Sequence, residues 1–470
     1  MDGVLMMRSK YDMHDYQWGL VDYILKNRRC GLYLPMGRGK TLIALSAVRQ
    51  TMYSRDARRV LIVAPKRVAK NVWLQEMAGW EHLHGMRSES GLIMGSVKGR
   101  ARALDKTKQD VNVSVISRDA IVWLSKQQID VPFDTIIVDE AQSFKGYSSA
   151  RFKALAKLTD RATSVILLSG TPMPQDAEDL WAQMYLIEKG HRLGKNITAF
   201  RRRYCQKLVF ETHADYVLLE EQRDEVYRLV GEVTVSMDPP TNMPPIYHKK
   251  VGFRLCPDAA KIYAQAEKAG CVDLPGHKKF VARTAASKHA LLRQIASGAY
   301  YPRGVPGDGS KTAIPVHWGK MAAFKKLIRA GEYSPAIVVY NYVFERDAIR
   351  TALQDAVFNA RYAEIDDDGA INAWNAGELD YLIVHPDSAG EGLNLQSGGH
   401  TIIWYGLTEK MGSYHQLNAR LHRPGQKNPV LVLHLIAHGT VEEKKVMPKI
   451  IKKTKAQQQF MNTIKIGETT

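Results

Sequence analysis

The sequence predicts an α/β protein with two mainly parallel sheets, each covered by helices on both faces. Short β-branched runs recur in two blocks, and each run is followed by turn residues and a longer helical pattern. This alternation is typical of parallel strands joined by crossover helices. The chain has 470 residues, more than one compact core usually holds, and this length favours two domains of about 200 residues each.

Eight apolar runs are the predicted strands. They are almost uninterrupted in apolar character, as expected of strands covered on both faces. They span residues 30–35, 60–65, 135–140 and 164–170 in the first block, and 334–341, 381–386, 400–406 and 430–436 in the second. A proline-rich connector, MDPPTNMPP, lies between the blocks at 237–245. We therefore predict an N-terminal lobe over 1–235, a C-terminal lobe with a helical insertion over 236–455, and a basic C-terminal tail over 456–470.

The charge of the chain points to a polyanionic partner. Its 66 Lys and Arg residues outnumber its 48 Asp and Glu residues, for a net charge of +18. A field of this sign favours nucleic acid before membrane. The sequence has no apolar run near the roughly 20 residues that span a bilayer. Its four cysteines are scattered without CxxC pairs, so we expect a cytoplasmic protein without a disulfide framework or zinc site.

A glycine-rich turn between the first strand and the next helix predicts a nucleotide site. Backbone N–H groups of such a turn can surround a phosphate, and the helix N-terminus adds its positive dipole. Lys40 is placed to reach the β- and γ-phosphates, and Thr41 to ligate Mg²⁺. The predicted nucleotide-binding residues of this turn are Met36, Gly37, Arg38, Gly39, Lys40 and Thr41.

An acidic pair follows a later strand. Asp139 and Glu140 come directly after the run TIIV, at the carboxyl end of a predicted parallel strand, where open α/β sheets bind their ligands. Asp139 is suited to hold Mg²⁺, directly or through water. Glu140 is suited to accept a proton from the attacking water. Together with the glycine-rich turn, this pair predicts hydrolysis of a nucleoside triphosphate.

Four segments carry a family resemblance: DEAQ at 139–142, LSGTP at 168–172, SAGEGLNL at 388–395 and QLNARLHRPGQ at 416–426. They resemble the motifs of superfamily 2 helicases, and most closely those of Swi/Snf-type DNA-dependent ATPases in the minimal form carried by bacteriophages and mobile elements. The chain departs from the family pattern at Gln142, which replaces a histidine, and at Glu391, which replaces a glycine. Pro35 and Arg38 also replace the usual residues of the phosphate loop.

The resemblance implies two RecA-like lobes with ATP and Mg²⁺ in the cleft between them. Arg420 and Arg423 are spaced i, i+3 on one helical face, and a guanidinium supplied across such a cleft stabilises the transition state. With Lys40 and Glu140 they form the predicted catalytic set, whereas His422 is expected to be structural. The resemblance further assigns adenine recognition to Gln17, nucleotide contacts to Gly390 and Gly392, and coupling of the lobes to Gln142, Ser169 and Thr171.

The expected partner is double-stranded DNA, on which the enzyme would act as an ATP-dependent translocase. By resemblance, the DNA contacts are Lys66, Arg67, Ser117, Arg118, Asn341, Ser388 and Asn394. One alternative is a helicase that separates strands or migrates branches on DNA or RNA. Another is a motor subunit that serves a partner nuclease or a replisome. We expect the protein in the cytoplasm of a bacterial or phage-infected cell.

Overall fold

The computed structural model describes residues 7–54, 58–107, 112–127, 133–170, 172, 178–209, 214–240, 243–274, 280–302, 312–329, 331–355, 357, 360–388 and 393–465. The chain divides into two compact units. The first comprises Met1–Thr241 and Ala456–Thr470, and the second comprises Asn242–Lys455. The division falls inside the proline-rich connector.

The first unit contains a seven-stranded parallel sheet, as the sequence predicts. Its strand order is β3-β4-β2-β5-β6-β1-β9. Helices cover both faces of this sheet. Neighbouring residues of β2 therefore pack into separate hydrophobic cores, Leu61 on one face and Ile62 on the other. The described strands of this unit are β1 Arg29–Tyr33, β2 Val60–Ala64, β3 Ser90–Ile93, β4 Val113–Ser117, β5 Thr135–Val138, β6 Ser164–Ser169, β7 Cys205–Val209, β8 Ala214–Leu218 and β9 Thr234–Ser236.

Helices connect these strands, and several begin at a polar cap. Ser149 Oγ accepts the N–H of Phe152 at the start of α8, and Asn196 Oδ1 accepts the N–H of Ala199 at the start of α10. The described helices are α1 Asp15–Lys26, α2 Lys40–Tyr53, α3 Lys66–Lys70, α4 Val72–Gly79, α5 His84–Ser88, α6 Val97–Thr107, α7 Ile121–Leu124, α8 Ala150–Thr159, α9 Glu178–Glu188, α10 Ile197–Tyr204 and α11 Glu220–Gly231. Short 3-10 helices span Lys10–Asp12, Glu81–Leu83, Arg118–Ala120 and Ala141–Phe144.

The second unit repeats the parallel architecture with six strands in the order β10-β19-β18-β15-β17-β16. Strand β10 lies in a region that the sequence left unassigned, and it pairs with β19 over eight residues, from Ile246 opposite Val430 to Phe253 opposite Ala437. The described strands are β10 Ile246–Phe253, β11 Cys271–Val272, β12 Phe280–Val281, β13 Ala299–Tyr300, β14 Ile314–Pro315, β15 Ala336–Val339, β16 Tyr362–Glu364, β17 Tyr381–Val384, β18 Thr401–Trp404 and β19 Val430–Ala437.

The helices of the second unit end in a long C-terminal helix. They are α12 Pro257–Ala269, α13 Ala285–Ser297, α14 Gly319–Arg329, α15 Val343–Leu353, α16 Ala370–Asn375, α17 Met411–Leu421, a π-helical turn Glu442–Val446 and α18 Met447–Thr463. From Ala456 onward the chain belongs to the first unit, where Phe460 packs against Tyr33 and Tyr227. Within the described segments, no helix is both long and apolar enough to cross a membrane.

Candidate active site

The predicted phosphate loop joins β1 to α2. Gly37 and Gly39 have φ angles of 84° and 72°, a left-handed conformation that glycine adopts without a steric penalty. Lys40 is the first residue of α2, and its Nζ donates to the backbone oxygens of Leu34 at 2.7 Å and Pro35 at 3.3 Å. The lysine charge is therefore held within the loop, at the N-terminus of a 14-residue helix. This arrangement suits a phosphate group.

Gln17 lies directly over this loop. Its Oε1 accepts the N–H of His14 at 2.9 Å, which fixes the amide orientation at the start of α1. A Cβ atom on Gly39 would meet the Gln17 side-chain nitrogen, so the amide lies against the loop at this glycine. The structure thus brings the residue predicted to recognise adenine to the loop predicted to bind phosphates.

The acidic pair lies at the carboxyl end of β5, as predicted. Trp73 Nε1 donates to Asp139 Oδ2 at 3.1 Å, and the Glu140 N–H donates to Asp139 Oδ1 at 3.0 Å. Burial, reinforced by the neighbouring Glu140 charge, raises the pKa of Asp139, and the nearby Lys40 partly opposes this shift. A buried carboxylate of this kind is stabilised by a cation, so the chemistry of the site fits Mg²⁺.

Glu140 has an unusual backbone. Its φ and ψ angles are 50° and 54°, a left-handed conformation that is uncommon outside glycine and costs roughly 1–3 kcal/mol. The Gln142 Nε2 donates to the Glu140 carboxylate, and Ser169 Oγ donates to Gln142 Oε1 at 2.8 Å. A hydrogen-bonded chain therefore runs from the predicted base to the end of β6. Gln142 and Ser169 are two of the predicted coupling residues, and Thr171 lies outside the described residues.

Arg38 does not face the loop interior. Its Nε donates to the backbone oxygen of Asp238 at 2.8 Å, and its Nη2 donates to that of Pro239 at 3.0 Å. Its guanidinium also stacks over the Tyr16 ring at 4.9 Å. The side chain of this loop residue is thus engaged with the connector, and only its backbone is left for a phosphate.

The predicted arginine pair lies at the end of α17 in the second unit, but only Arg420 belongs to the helix. Arg423 follows its last residue, Leu421, so the prediction that one helical face presents both guanidinium groups was wrong. Nη1 of Arg420 and Nη1 of Arg423 each donate to the backbone oxygen of Leu393 at 3.3 Å. Burial lowers the pKa of Arg423 from its ordinary value, although a guanidinium stays charged at neutral pH. Two guanidinium groups therefore converge on the Leu393 carbonyl, which follows directly after residues 389–392 of the SAGEGLNL segment. The predicted nucleotide contacts Gly390 and Gly392 lie outside the described residues.

The rest of this arginine motif holds the local backbone. Gln426 Nε2 donates to the backbone oxygens of Gly399 at 3.0 Å and Gln396 at 3.2 Å. Asn418 Oδ1 accepts the Trp404 indole N–H at 3.0 Å, and His422 Nε2 lies 2.9 Å from the Pro244 backbone oxygen. The His422 ring thus contacts the backbone of the connector, and its structural role stays a prediction. These contacts explain why side chains with amide or imidazole groups occur at these positions.

A cavity of about 320 Å³ in the first unit contains two of the predicted nucleic-acid contacts, Lys66 and Ser117. Arg100 also lines it and donates through Nε to the Gly95 backbone oxygen at 3.1 Å. Sequence reasoning missed Arg100, although the basic segment VKGRARALDK, which forms most of α6, was the available signal. Arg67 and Arg118 directly follow Lys66 and Ser117 in the chain. The cavity is therefore the candidate phosphate-binding surface of this unit.

The remaining predicted contacts are in the second unit. The Asn341 N–H donates to Glu345 Oε2 at 2.6 Å, and Ser388 Oγ donates to Asp366 Oδ2 at 3.2 Å. Asn394 is exposed and its backbone oxygen accepts from Asn375 at 2.9 Å. The contacts described here do not bring these three residues together, so each stays a separate candidate for DNA contact.

A buried ionic network joins several helices of the second unit. Lys320 Nζ donates to Glu442 Oε1 at 2.5 Å and to Ser297 Oγ at 3.1 Å, and the hydroxyl of Ser297 donates to Glu345 Oε1 at 2.5 Å. Lys320, Glu345 and Glu442 are all almost fully buried. Because Glu345 also accepts the Asn341 N–H, this network fixes the backbone at a predicted DNA contact.

Fold and site together define the class of the protein: an ATP hydrolase of helicase superfamily 2, with two parallel α/β units. The first unit holds the phosphate loop and the acidic pair, and the second holds the paired arginines. Residues 11–237 match the model of the SNF2-related domain.

Several known proteins are similar to this chain. "Putative protein p41" of Acyrthosiphon pisum secondary endosymbiont phage 1 is 28% identical, over 91% of this chain and 93% of its own length. Human "DNA annealing helicase and endonuclease ZRANB3" is 23% identical over 90% of this chain, and "DNA repair and recombination protein RAD54-like" of Drosophila persimilis is 24% identical over 87%. This chain spans 38% and 57% of the lengths of those two proteins.

Among solved structures, the Sulfolobus solfataricus SWI2/SNF2 ATPase core in complex with dsDNA aligns with a TM-score of 0.43 and 18% identity, over 96% of this chain and 94% of that one. The SNF2-related domain over residues 11–237 and the similarity of most of the chain to these relatives support a Snf2-type ATPase.

Proposed function

We propose that this Snf2-type ATPase is a motor that hydrolyses ATP when it binds DNA and translocates along the duplex. The observation that carries the proposal is the complementarity of the two half-sites. One unit presents Lys40 beside Asp139 and Glu140, and the other presents Arg420 and Arg423 on a single carbonyl. In this proposal the two half-sites meet around one nucleotide.

ATP would be held by backbone groups and a few side chains of the first unit. The left-handed glycines would allow loop N–H groups to turn towards the phosphates, and Lys40 would supply positive charge. Gln17 would recognise adenine. Mg²⁺ would be held by Thr41 and Asp139, and it supplies charge neutralisation of the phosphate oxygens when bound.

Hydrolysis would depend on residues from both units. The Glu140 carboxylate is oriented by its hydrogen bond from Gln142, which suits it to accept the proton of the attacking water. Arg420 and Arg423 would stabilise charge that develops on the γ-phosphate oxygens. The chain Glu140–Gln142–Ser169 offers a route by which nucleotide state changes the end of β6. Thr171 would extend that route, and Gly390 and Gly392 would contact the nucleotide.

DNA is the proposed track for three reasons. The net charge is +18, the cavity around Lys66, Arg100 and Ser117 brings together cationic and hydroxyl groups that suit phosphate binding, and the names of two relatives refer to DNA. Duplex DNA is favoured, and the protein is proposed to act in the cytoplasm of a bacterial or phage-infected cell, because the phage relative matches nearly end to end.

The test combines ATPase and translocation assays. Steady-state ATP hydrolysis is measured without nucleic acid and with duplex DNA, single-stranded DNA or RNA, and triplex displacement reports movement along an intact duplex. We expect strong stimulation by duplex DNA and displacement that requires ATP and Mg²⁺. Stimulation by single strands together with unwinding would instead support the strand-separating alternative. Activity that emerges only with a co-purified nuclease or replication protein would support a motor subunit.

A further inference from the structure

The predicted metal ligand Asp139 is held from two points of one segment of the first unit, residues 63–73. Its backbone N–H donates to the Val63 backbone oxygen at 2.8 Å, near the end of β2. Its Oδ2 accepts the indole N–H of Trp73 at 3.1 Å, from the first turn of α4. Between these contacts lies Lys66, which begins α3 and lines the cavity of about 320 Å³. The same segment therefore contacts Asp139 at both ends and forms part of the candidate DNA surface between them.

The part of the segment from Lys66 to Trp73 is almost continuous helix. Asn71 is the single residue between α3 and α4. The backbone hydrogen bonding continues through it, because its N–H donates to the Arg67 oxygen at 3.1 Å and its own oxygen accepts the Gln75 N–H at 3.1 Å. A helical segment held in this way is stiff, so a displacement of Lys66 is carried to Trp73.

The Trp73 indole contacts the carboxylate that is suited to hold Mg²⁺. The Trp73 side chain is fully buried, and a buried indole N–H needs a hydrogen-bond acceptor. Its acceptor here is Asp139 Oδ2, while the Glu140 N–H donates to Oδ1 at 3.0 Å. A carboxylate oxygen has two lone pairs, so one accepted hydrogen bond leaves the other for a metal ion and fixes its direction.

We propose that Trp73 is a positioning residue that links DNA phosphate in the cavity at Lys66 to the orientation of the Asp139 carboxylate. This inference rests on the proposed function, and it adds a route by which DNA regulates the ATP site. A phosphate bound at Lys66 moves α3, and α4 moves with it. The indole N–H then reorients the Asp139 carboxylate, so ATP hydrolysis is fastest when DNA is bound.

Equilibrium binding tests the indole contact without DNA or turnover. Trp73→Phe keeps an aromatic ring in the core but loses the N–H. We expect the Mg²⁺ concentration that half-saturates binding of a fluorescent ATP analogue to rise by about tenfold or more, the usual effect of losing a partner of a metal ligand. Trp80→Phe is the matched control and should behave as wild type, because the Trp80 N–H donates to Glu76 Oε1 at 2.9 Å.

A second change at the same position separates the hydrogen bond from packing. A tryptophan isostere with sulfur in place of the indole nitrogen, incorporated at position 73, keeps the shape of the side chain and removes only the donor. It should raise the Mg²⁺ requirement as Trp73→Phe does, and it replaces that variant if the smaller ring prevents folding. A normal Mg²⁺ requirement in the folded isostere protein would overturn the inference.

Nuclear magnetic resonance of the indole groups tests the link to the DNA surface. In protein labelled with nitrogen-15 tryptophan, the Trp73 signal is the one that the position-73 changes remove. Saturating duplex DNA, added without nucleotide, should shift this signal and leave the Trp80 signal in place. Lys66→Ala should abolish the shift at saturating duplex. Lys70→Ala should retain it, because Lys70 is exposed at the other end of α3 and outside the cavity lining.

Steady-state kinetics provide a third readout. Trp73→Phe should lower the factor by which duplex DNA raises kcat by about tenfold and change KM for ATP less than about threefold at saturating Mg²⁺. A wild-type stimulation factor in this variant, or a Trp73 signal that saturating duplex leaves unmoved, would each overturn the inference. Absence of DNA stimulation in the wild type would contradict the proposed function, whereas the Mg²⁺ titration would still decide the role of Trp73 at Asp139.

Discussion

The two units carry their candidate site residues in different ways. In the first unit these residues lie at or just after strand ends: Lys40 follows β1, Asp139 and Glu140 follow β5, and Ser169 ends β6. In the second unit Arg420 lies in the last turn of α17 and Arg423 just past its end, and both reach the backbone oxygen of Leu393, 27 and 30 residues earlier. The first half-site therefore follows directly from strand topology, whereas the second depends on packing of a helix against a distant loop.

The difference also extends to what each half-site can do alone. The first carries the predicted phosphate loop, base and metal ligand, which would suffice to bind a nucleotide. The second carries the predicted arginine pair, whose positive charge would act on a nucleotide held elsewhere. We therefore expect changes in the second unit to affect turnover far more than nucleotide affinity.

Arg423→Ala is the strongest test of this asymmetry. It should lower DNA-stimulated turnover by about a thousandfold or more, the scale of arginine fingers, with little change in ATP affinity. Turnover is measured by phosphate release and affinity by a fluorescent ATP analogue. Arg361→Ala, at an exposed arginine of the same unit that pairs with Asp380, is the control and should stay near wild type. Full turnover by folded Arg423→Ala would show that the second unit contributes no catalytic charge.

Glu140→Gln tests the predicted base of the first unit. The amide cannot accept a proton, so turnover should fall by about 10² to 10⁴-fold while the phosphate loop still binds ATP. The measurement is single-turnover hydrolysis together with analogue binding. Fast hydrolysis by this variant would place the base at another residue.

Lys320→Met tests the packing that positions the second unit. The substitution leaves Glu442 and Glu345 buried without their cation, and removing one partner of a buried pair costs about 3–5 kcal/mol. Thermal and denaturant unfolding should show this loss. The double variant Lys320→Met, Glu442→Gln should recover part of it, and equal stabilities of the single variant and wild type would contradict the network.

The smallest expected effect concerns the candidate DNA surface. Arg100→Ala should weaken duplex binding modestly and reduce the slope of log K against log salt by about 0.9, the contribution of one phosphate contact. Arg102, exposed on the same helix but absent from the cavity lining, is the matched control. If both variants give the same slope as wild type, the DNA does not pass over this cavity.

Much of this organisation could be predicted from the sequence. Uninterrupted apolar runs predicted the parallel strands, because strands covered on both faces have no polar side. The glycine-rich turn and the Asp139–Glu140 pair could be recognised because their chemistry requires residues that are adjacent in the chain. The N-terminal lobe 1–235, the second lobe 236–455 and the tail 456–470 stay predictions of domain organisation, although the chain from Ala456 on packs with the first unit.

Other features were decided only by the tertiary structure. Strand β10 was not predicted because it contains charged and polar side chains, such as Lys249 and Lys250, instead of an apolar run. Its pairing with β19, which the sequence does not reveal, stabilises it. The partner of Trp73, the cavity position of Arg100 and the burial of Lys320 depend on contacts between residues far apart in sequence.

Arg38 shows most clearly what could not be predicted from the sequence. Its position in the chain marks it as a phosphate-loop residue, but the fold brings Asp238 and Pro239 within hydrogen-bonding distance of its guanidinium. The sequence by itself determined which residues can meet a nucleotide, because backbone turns and strand ends are local. The tertiary structure determined where a long, flexible side chain is directed, because that choice depends on acceptors some 200 residues away.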